Sequence, residues 1–218
     1  MLLVLIVLVL SAGLVFAGEP KTKQGTQALC FTMYGLGFFG VDAAPVGTVG
    51  RAFSGTSYTN HYLAGFGGKW YAANDVAVRG TINFNMNTYK EKPTSTTEDK
   101  TTTTTIGIAP AVLWHMMNAG MVSGYWGFGG QFGWVSWENT PPTPGTVVKS
   151  TGTMFGVAVI LGADVFFWDN VSLGAEYNVG FQTNNTKIEA SGASTDGPSW
   201  TNIGIDSWAV NLYVYIND

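Results

Sequence analysis

The stretch Val171–Gln182, VSLGAEYNVGFQ, alternates apolar side chains with polar residues and glycine along its whole length. Successive side chains on a β-strand point to opposite faces, so this alternation predicts a strand with one apolar and one polar face. Its length of about twelve residues exceeds the usual five or six but suits a tilted strand that crosses a bilayer. The stretch raises the question of whether the apolar faces of this chain meet a protein core or lipid.

The composition of the chain favours lipid. Its 218 residues are 46% hydrophobic and only 11% charged, and they include 29 Gly, 8 Trp, 9 Tyr and 13 Phe. Soluble domains carry about 25% charged residues. After residue 17 no apolar run approaches the roughly 20 residues of a membrane helix, so the composition predicts a membrane β-barrel. The net charge of −4, with no basic patch, argues against nucleic acid as a partner.

The N-terminal residues predict a secretory signal. An apolar run, Leu2–Phe16, is followed by Ala17 and the polar GEPKTKQGTQ, with small residues Val15 and Ala17 placed for cleavage after residue 17. An anchor helix is the alternative, although the run is short for one. We therefore expect a signal peptide at 1–17, a short polar segment at 18–27 and a barrel at 28–218. The single cysteine, Cys30, excludes an internal disulfide and is expected to be a small apolar filler on the first strand.

Breaks of two alternating lengths separate eight stretches of this kind. The short breaks are residues 72–75, 118–123 and 168–170, and the long ones are Val41–Asn60, Lys90–Thr104, Asn139–Ser150 and Asn184–Ile203. This order predicts an all-β fold, an eight-stranded antiparallel up-and-down transmembrane β-barrel with short periplasmic turns and long external loops. The Thr-rich run Thr94–Thr105 is expected to stay unordered, because it has little apolar surface to bury. Pro110, inside the fourth strand, predicts a bulge or a locally unpaired edge.

The two faces of the strands differ in composition. Apolar and aromatic residues occupy one face of each of the last seven strands, as Phe155, Val157, Val159 and Leu161 do on the sixth, while the faces of the first strand are left open. The opposite faces are rich in glycine and carry Lys69, Arg79, Thr81, Asn83, Asn85, Asn87, His115, Gln131, Asp164, Glu176 and Asn211. A glycine-rich polar face suits a narrow, crowded interior, so we expect the apolar faces to meet lipid.

Aromatic residues cluster at both predicted rims of the barrel, as interfacial anchoring requires. The predicted girdle at the turn rim contains Trp70, Tyr71, Trp114, Phe167 and Trp168. The predicted girdle at the loop rim contains Tyr89, Trp134 and Trp137.

Two hairpins carry a family resemblance: GFGGKWYAANDVAVRGTINF (65–84) and GADVFFWDNVSLGAEYNVGF (162–181). They resemble the eight-stranded outer-membrane β-barrel family, which includes porin-like, OmpA/OmpX-like and opacity-type surface proteins. The resemblance covers residues 28–218 and specifies fold far better than activity. It implies a bacterial outer-membrane location with both termini periplasmic, contact with outer-membrane lipid, and insertion by the barrel assembly machinery. Specific surface partners are left open.

Three functions are compatible with these patterns. The first is a structural or surface-interaction role for a barrel whose lumen is plugged by side chains. The second is a narrow, OmpW-like conduit for small hydrophobic molecules, which the inward Met154, Ala158, Ile160 and Phe166 would favour. The third is an outer-membrane lipid-modifying enzyme, for which only His61 lies at the external rim. We predict no enzyme activity, no catalytic residues, no metal site and no cofactor, because no triad or ligand spacing is present.

Four predicted inward charges suggest a network inside the barrel. Lys69 and Arg79 lie on strands two and three, diametrically across from strands six and seven, which carry Asp164 and Glu176. Pairing Trp70 with Val76, and Phe167 with Val171, gives each charge a small cross-strand neighbour: Ala77 for Lys69, Gly67 for Arg79, Gly174 for Asp164 and Gly162 for Glu176. Two cations facing two anions are expected to form a hydrogen-bonded network. Separate, hydrated charges in a wet lumen are the alternative.

Overall fold

The computed structural model describes residues 18–34, 63–94, 97–140, 147–190, 193–197 and 199–217. The signal peptide predicted at 1–17, the long break predicted at Val41–Asn60, and His61 of the enzyme hypothesis lie outside these ranges. Within them, no helix has the length and hydrophobicity needed to cross a membrane.

Nine strands follow one another along the described residues. They are β1 (Gln27–Tyr34), β2 (Leu63–Ala73), β3 (Val76–Thr94), β4 (Thr97–Ala119), β5 (Val122–Thr140), β6 (Val148–Trp168), β7 (Val171–Ala190), β8 (Ala193–Asp196) and β9 (Trp200–Tyr215). The alternation of apolar with polar or small residues, seen first in β7, is what lets each strand present two different faces.

Eight of these strands close into a ring. Strands β1 to β7 pair with their neighbours in chain order, and β9 pairs with β7 on one side and with β1 on the other. All of these pairings are antiparallel. The four-residue β8 pairs with the far end of β7. The predicted eight-stranded antiparallel barrel is therefore confirmed, with β8 as an addition at its rim.

The three predicted short turns share one design. Each is a two-residue connection, closed by the pairs Ala73↔Val76, Ala119↔Val122 and Trp168↔Val171. In each hairpin the first strand carries a bulge just before the turn, at Tyr71/Ala73, His115/Met117 and Phe166/Trp168. A bulge adds one unpaired residue and increases the local twist, which helps to curve the sheet at this rim.

Two of the predicted long breaks, Lys90–Thr104 and Asn184–Ile203, are largely strand, so their predicted bounds are wrong. Strand β3 continues to Thr94, β4 already begins at Thr97, and β7 continues to Ala190. The threonines at 101–105 pair with β3 on one side and with β5 on the other. Threonine is β-branched and fits a paired strand well, so the run becomes ordered without an apolar core.

Pro110 interrupts one ladder without changing its register. On the β3 side it pairs with Gly80, whereas the pairing with β5 stops after Ile108↔Phe132 and resumes at Ala111↔Gly129. Proline has no N–H to donate, so the β4–β5 ladder lacks a backbone hydrogen bond at this position. The predicted local loss of pairing is confirmed.

A belt of large apolar side chains covers the outside of the ring. Exposed members occur on each of the eight strands in it, and they include Phe66, Ile82, Ile108, Phe128, Leu161, Val179 and Leu212. On β6 the belt runs from Phe155 to Val165, about 33 Å along a strand and about 25 Å along the barrel axis at a tilt of about 40°. This is the height of the apolar band of a membrane barrel, so the predicted assignment of the apolar faces to lipid fits the observed dimensions.

We expect an arginine at Val159, in the middle of the belt on β6, to destabilise the barrel in lipid by about 2–4 kcal/mol, because it places a charge near the bilayer midplane. The matched control is Thr151→Arg, on the same face of β6 but beyond the belt, with an expected cost of about 0–1 kcal/mol. Denaturant titrations of both variants in lipid vesicles measure the difference. Equal costs would show that this face does not meet hydrocarbon.

Candidate functional site in the barrel lumen

The inner faces of the strands enclose a dense set of polar side chains. The buried ones include Lys69, Arg79, Thr81, Asn83, His115, Ser123, Asp164, Glu176, Gln182, Asn184 and Asn211. The four charged residues predicted to face inward are each no more than 5% exposed. Charges buried to this extent are stable only when they are paired and hydrogen-bonded.

Lys69 of β2 crosses the lumen to Asp164 of β6. Its Nζ lies 2.7 Å from Asp164 Oδ2, and both side chains are fully enclosed. Tyrosine rings surround the ammonium group, with ring centroids at 4.4 Å (Tyr213), 5.2 Å (Tyr71) and 5.3 Å (Tyr125). The negative faces of these rings add cation–π attraction to the ion pair.

Arg79 of β3 forms the second pair, with Glu176 of β7. Both guanidinium Nη atoms donate to the carboxylate, Nη1 to Oε1 and Nη2 to Oε2. Nη1 also donates to Tyr213 Oη at 2.8 Å, and Tyr125 Oη donates to Glu176 Oε1 at 2.7 Å. A bidentate arginine–carboxylate contact is geometrically specific. Together with the hydrogen bonds to the two tyrosines, it fixes the positions of β3, β5, β7 and β9 relative to one another.

The register of the second charged hairpin agrees with the prediction, and that of the first does not. In β6–β7, Asp164 lies opposite Gly174 and Glu176 opposite Gly162. An added Cβ at Gly162 would come within 2.6 Å of the Tyr125 ring, so the glycine makes room for the tyrosine that reaches Glu176.

In β2–β3 the predicted neighbours Ala77 and Gly67 are wrong, because Lys69 lies directly opposite Arg79. The predicted pair Trp70–Val76 leaves five residues for the turn. The observed turn has only two residues and is preceded by a one-residue bulge, so Trp70 pairs with Val78, two positions further along β3. Like charges opposite each other on a sheet repel. Each cation is therefore held by an anion from the far wall.

A hydrogen-bonded chain that the sequence did not reveal lies at the turn end of the lumen. His115 Nε2 lies 3.1 Å from Tyr71 Oη, and His115 Nδ1 lies 2.7 Å from Ser123 Oγ. Ser123 Oγ in turn donates to Asn118 Oδ1 at 2.6 Å. These partners assign the proton to Nδ1, with Nε2 accepting from Tyr71. The inward alternation of His115 was visible in the sequence, but the members of this chain come from three strands.

The segment before β1, which we call the N-terminal strap (residues 18–26), crosses the barrel mouth at the turn rim. Gly18 N–H donates to Phe166 O of β6 at 3.3 Å, and Thr22 O accepts from Asp75 N–H of the β2–β3 turn at 2.7 Å. These contacts lie on opposite sides of the ring, about 13 Å apart along an extended chain. Thr22 Oγ1 also accepts from Asn118 Nδ2 at 3.3 Å. The polar segment predicted at 18–27 thus spans this end of the lumen.

The predicted girdle residues divide between the two faces. Trp70, Trp134 and Trp168 are exposed on the outside, while Trp114 and Phe167 are half-buried. Tyr71 is fully buried in the lumen, so its girdle assignment is wrong; adjacent residues face opposite sides, and Trp70 takes the outer one. Trp137 falls on the same face as buried Val135 and opposite buried Ser150, so it too is an inner residue. The side chain of Tyr89 lies outside the described part of the structure.

The remaining inner positions hold small or neutral side chains. Cys30 is buried, with Sγ 3.4 Å from Thr32 Oγ1, as expected for a small filler. Among the described residues, no group of three or more His, Cys, Asp and Glu side chains is arranged to hold a metal ion. The chemistry of the described lumen is therefore that of ion pairs, hydroxyl groups and amides.

A family model described as outer membrane protein beta-barrel domain matches residues 3–214. The matched range contains β1 to β8 and all but the last residue of β9. Comparison with curated proteins gives no significant match.

We expect Glu176→Gln to destabilise the barrel by about 3–5 kcal/mol, because it leaves Arg79 charged and buried without its anion. Glu189→Gln, on an exposed part of the same strand, is the control and should change stability by no more than about 0.5 kcal/mol. A double-mutant cycle between Arg79→Gln and Glu176→Gln, measured by urea unfolding, should give a coupling above about 0.5 kcal/mol. Additive effects would mean that the two charges act independently.

Proposed function

The chain belongs to the outer membrane protein β-barrel domain family, and from this premise we propose that it is a closed, non-catalytic barrel that presents structured hairpins at the cell surface. In this role the barrel anchors and orients the hairpins, and its lumen is a plug rather than a pore. The anchor contacts outer-membrane lipid through its apolar belt. The surface or membrane-protein partners of the hairpins are not identified by their chemistry.

The observation that carries the proposal is the filling of the lumen by cross-barrel ion pairs. Lys69–Asp164 and Arg79–Glu176 span the interior from opposite walls, and Tyr71, Tyr125 and Tyr213 pack around them. An eight-stranded barrel is only wide enough for side chains. This cluster across the middle and the N-terminal strap across one mouth support a lumen without a continuous column of water.

The hairpins beyond the belt support the display part of the proposal. On β3 the exposed apolar residues end at Met86, and the strand continues to Thr94, about 26 Å further along its axis. The pairing of β3 with β4 continues through this extension, so the hairpin is a projecting sheet with a defined shape. Ordered projections of this kind offer a fixed surface to a partner without a cost of loop ordering.

The proposed orientation follows the asymmetry of the two rims. The described N- and C-terminal residues both lie at the turn rim, where Gln27 N–H donates to Asn217 Oδ1 at 2.6 Å. We assign this rim to the periplasm, since short turns face the periplasm in bacterial barrels of this kind. Secretion with removal of residues 1–17, followed by insertion by the barrel assembly machinery, belongs to the same proposal.

The plug is tested by electrical recording. Purified protein in planar bilayers is expected to give no unitary conductance steps, because the ion pairs block the lumen. The combined variant Lys69→Ala/Arg79→Ala/Asp164→Ala/Glu176→Ala, with residues 18–24 deleted, removes both barriers and should produce steps. Stable conductance by the unmodified protein would overturn the plug, whether or not the variant folds.

A gap in the barrel wall favours a second candidate, a conduit for small hydrophobic molecules. Where Pro110 interrupts the β4–β5 ladder, a cavity of about 40 Å³ is lined by outer residues Gly130 and Val157 and by inner residues Arg79 and Ile160. This volume is far below the roughly 300 Å³ of a ligand pocket, so the plug is the better-supported function. Uptake of a small apolar dye that Gly130→Val abolishes would favour the conduit.

Orientation is tested by labelling single cysteines on intact cells, in a Cys30→Ala background. Thr88→Cys, exposed on the projecting part of β3, should react with a membrane-impermeant maleimide. Asn170→Cys, exposed in the β6–β7 turn, should react only after the outer membrane is broken. The reverse pattern would invert the proposed topology.

A further inference from the structure

The outer surface changes character abruptly above the apolar belt on β5, β6 and β7. Phe132 and Phe155 are the last apolar cross-strand pair on the outside of these strands. The next outward row is Trp134, Thr153 and Asn185, and the row above it contains Thr151, Lys187 and Asp196. These polar rows begin at the first outward position beyond the apolar belt. In a membrane barrel this height is the level of the lipid headgroups.

These two rows line a cleft of about 420 Å³, whose wall also includes Gly197 and Ser199. The wall arises from a mismatch in register. Lys187 pairs with Asp196 and Asn184 with Trp200, so four steps along β8–β9 accompany three steps along β7. One residue more therefore lies along β8–β9 than along β7, and Gly197 N–H holds this segment to Thr186 O at 2.9 Å. The volume is within the range of small-molecule sites.

The lining has the chemistry of a saccharide site. Trp134 is 38% exposed, so part of its indole is free to pack against the C–H face of a sugar ring. Thr151, Thr153 and Ser199 bring hydroxyl groups and Asn185 brings an amide, and these groups both donate and accept hydrogen bonds, as sugar hydroxyls do. Lys187 and Asp196 are cross-strand neighbours of opposite charge, so the cleft has no net charge to select an anion or a cation.

We propose that this cleft binds the saccharide headgroup of a membrane lipid whose acyl chains lie against Phe132 and Phe155 below it. The continuity of the apolar belt with the polar cleft argues for a sugar attached to a lipid rather than a free one. The proposal does not depend on the state of the lumen, so a conducting barrel would leave it unaffected.

The test uses the ¹⁵N-labelled barrel in phosphatidylcholine nanodiscs, with amide shifts at Thr153 and Asn185 as the readout. Monoglucosyl diacylglycerol added to the bilayer should produce saturable shifts confined to the cleft. Trp134→Leu and Asn185→Ala should each raise the apparent Kd about fivefold, the loss expected for one aromatic contact or one hydrogen bond. Trp70→Leu, at the opposite rim, should leave it unchanged. Heat-modifiable migration on gels verifies that each variant is folded.

Two further probes separate the source and the chemistry of the ligand. Phosphatidylglycerol, which is anionic and has no sugar, should give no saturable shift. Methyl glucoside, which has no acyl chain, should bind at least tenfold more weakly than the glycolipid. Equal shifts with phosphatidylglycerol would overturn the saccharide assignment, and equal binding of methyl glucoside would overturn the lipid source. Absence of saturable shifts with the glycolipid would overturn the site itself.

Discussion

Closure of the backbone hydrogen-bond ring is the constraint on which the rest of this structure depends. Hydrocarbon offers no partner to an exposed N–H or C=O group, so a sheet that crosses it must have no free edge. Here the pairing of β1 with β9 removes both edges at once. Where Pro110 interrupts the β4–β5 ladder, the Thr81 hydroxyl lies 3.5 Å from Ala109 O and is a partial substitute.

The size of the ring then decides what the lumen can contain. Eight strands leave room for side chains and little else, so any charge pointing inward loses its water. Lys69 and Arg79 cannot relieve each other, because they are neighbours of the same sign on adjacent strands. Their anions come from β6 and β7 on the far wall, and Tyr125 and Tyr213 occupy the space between the two pairs. The polar cluster therefore joins opposite sides of the barrel.

The two ends of the barrel are built differently. At the turn rim, bulges tighten the hairpins and the N-terminal strap ties β6 to the β2–β3 turn. At the other rim, strands run on past the apolar belt, and their outward faces become polar. At this second end, the register mismatch near Ser199 accompanies a concave surface.

Local patterns in the sequence determined the strand count, the antiparallel order, the face of most side chains and the four inward charges. Alternation such as that of Val171–Gln182 is a property of neighbouring residues, so it can be recognised in the sequence before the fold is known. Register was less accessible: the glycines opposite Asp164 and Glu176 were predictable, but the bulge beside Tyr71 moved Lys69 to face Arg79. The order of the Thr-rich segment depended on strands supplied by β3 and β5, which its own composition does not reveal. The Tyr71–His115–Ser123 chain and the strap across the mouth were decided by tertiary structure alone, because their partners are brought together only when the ring closes.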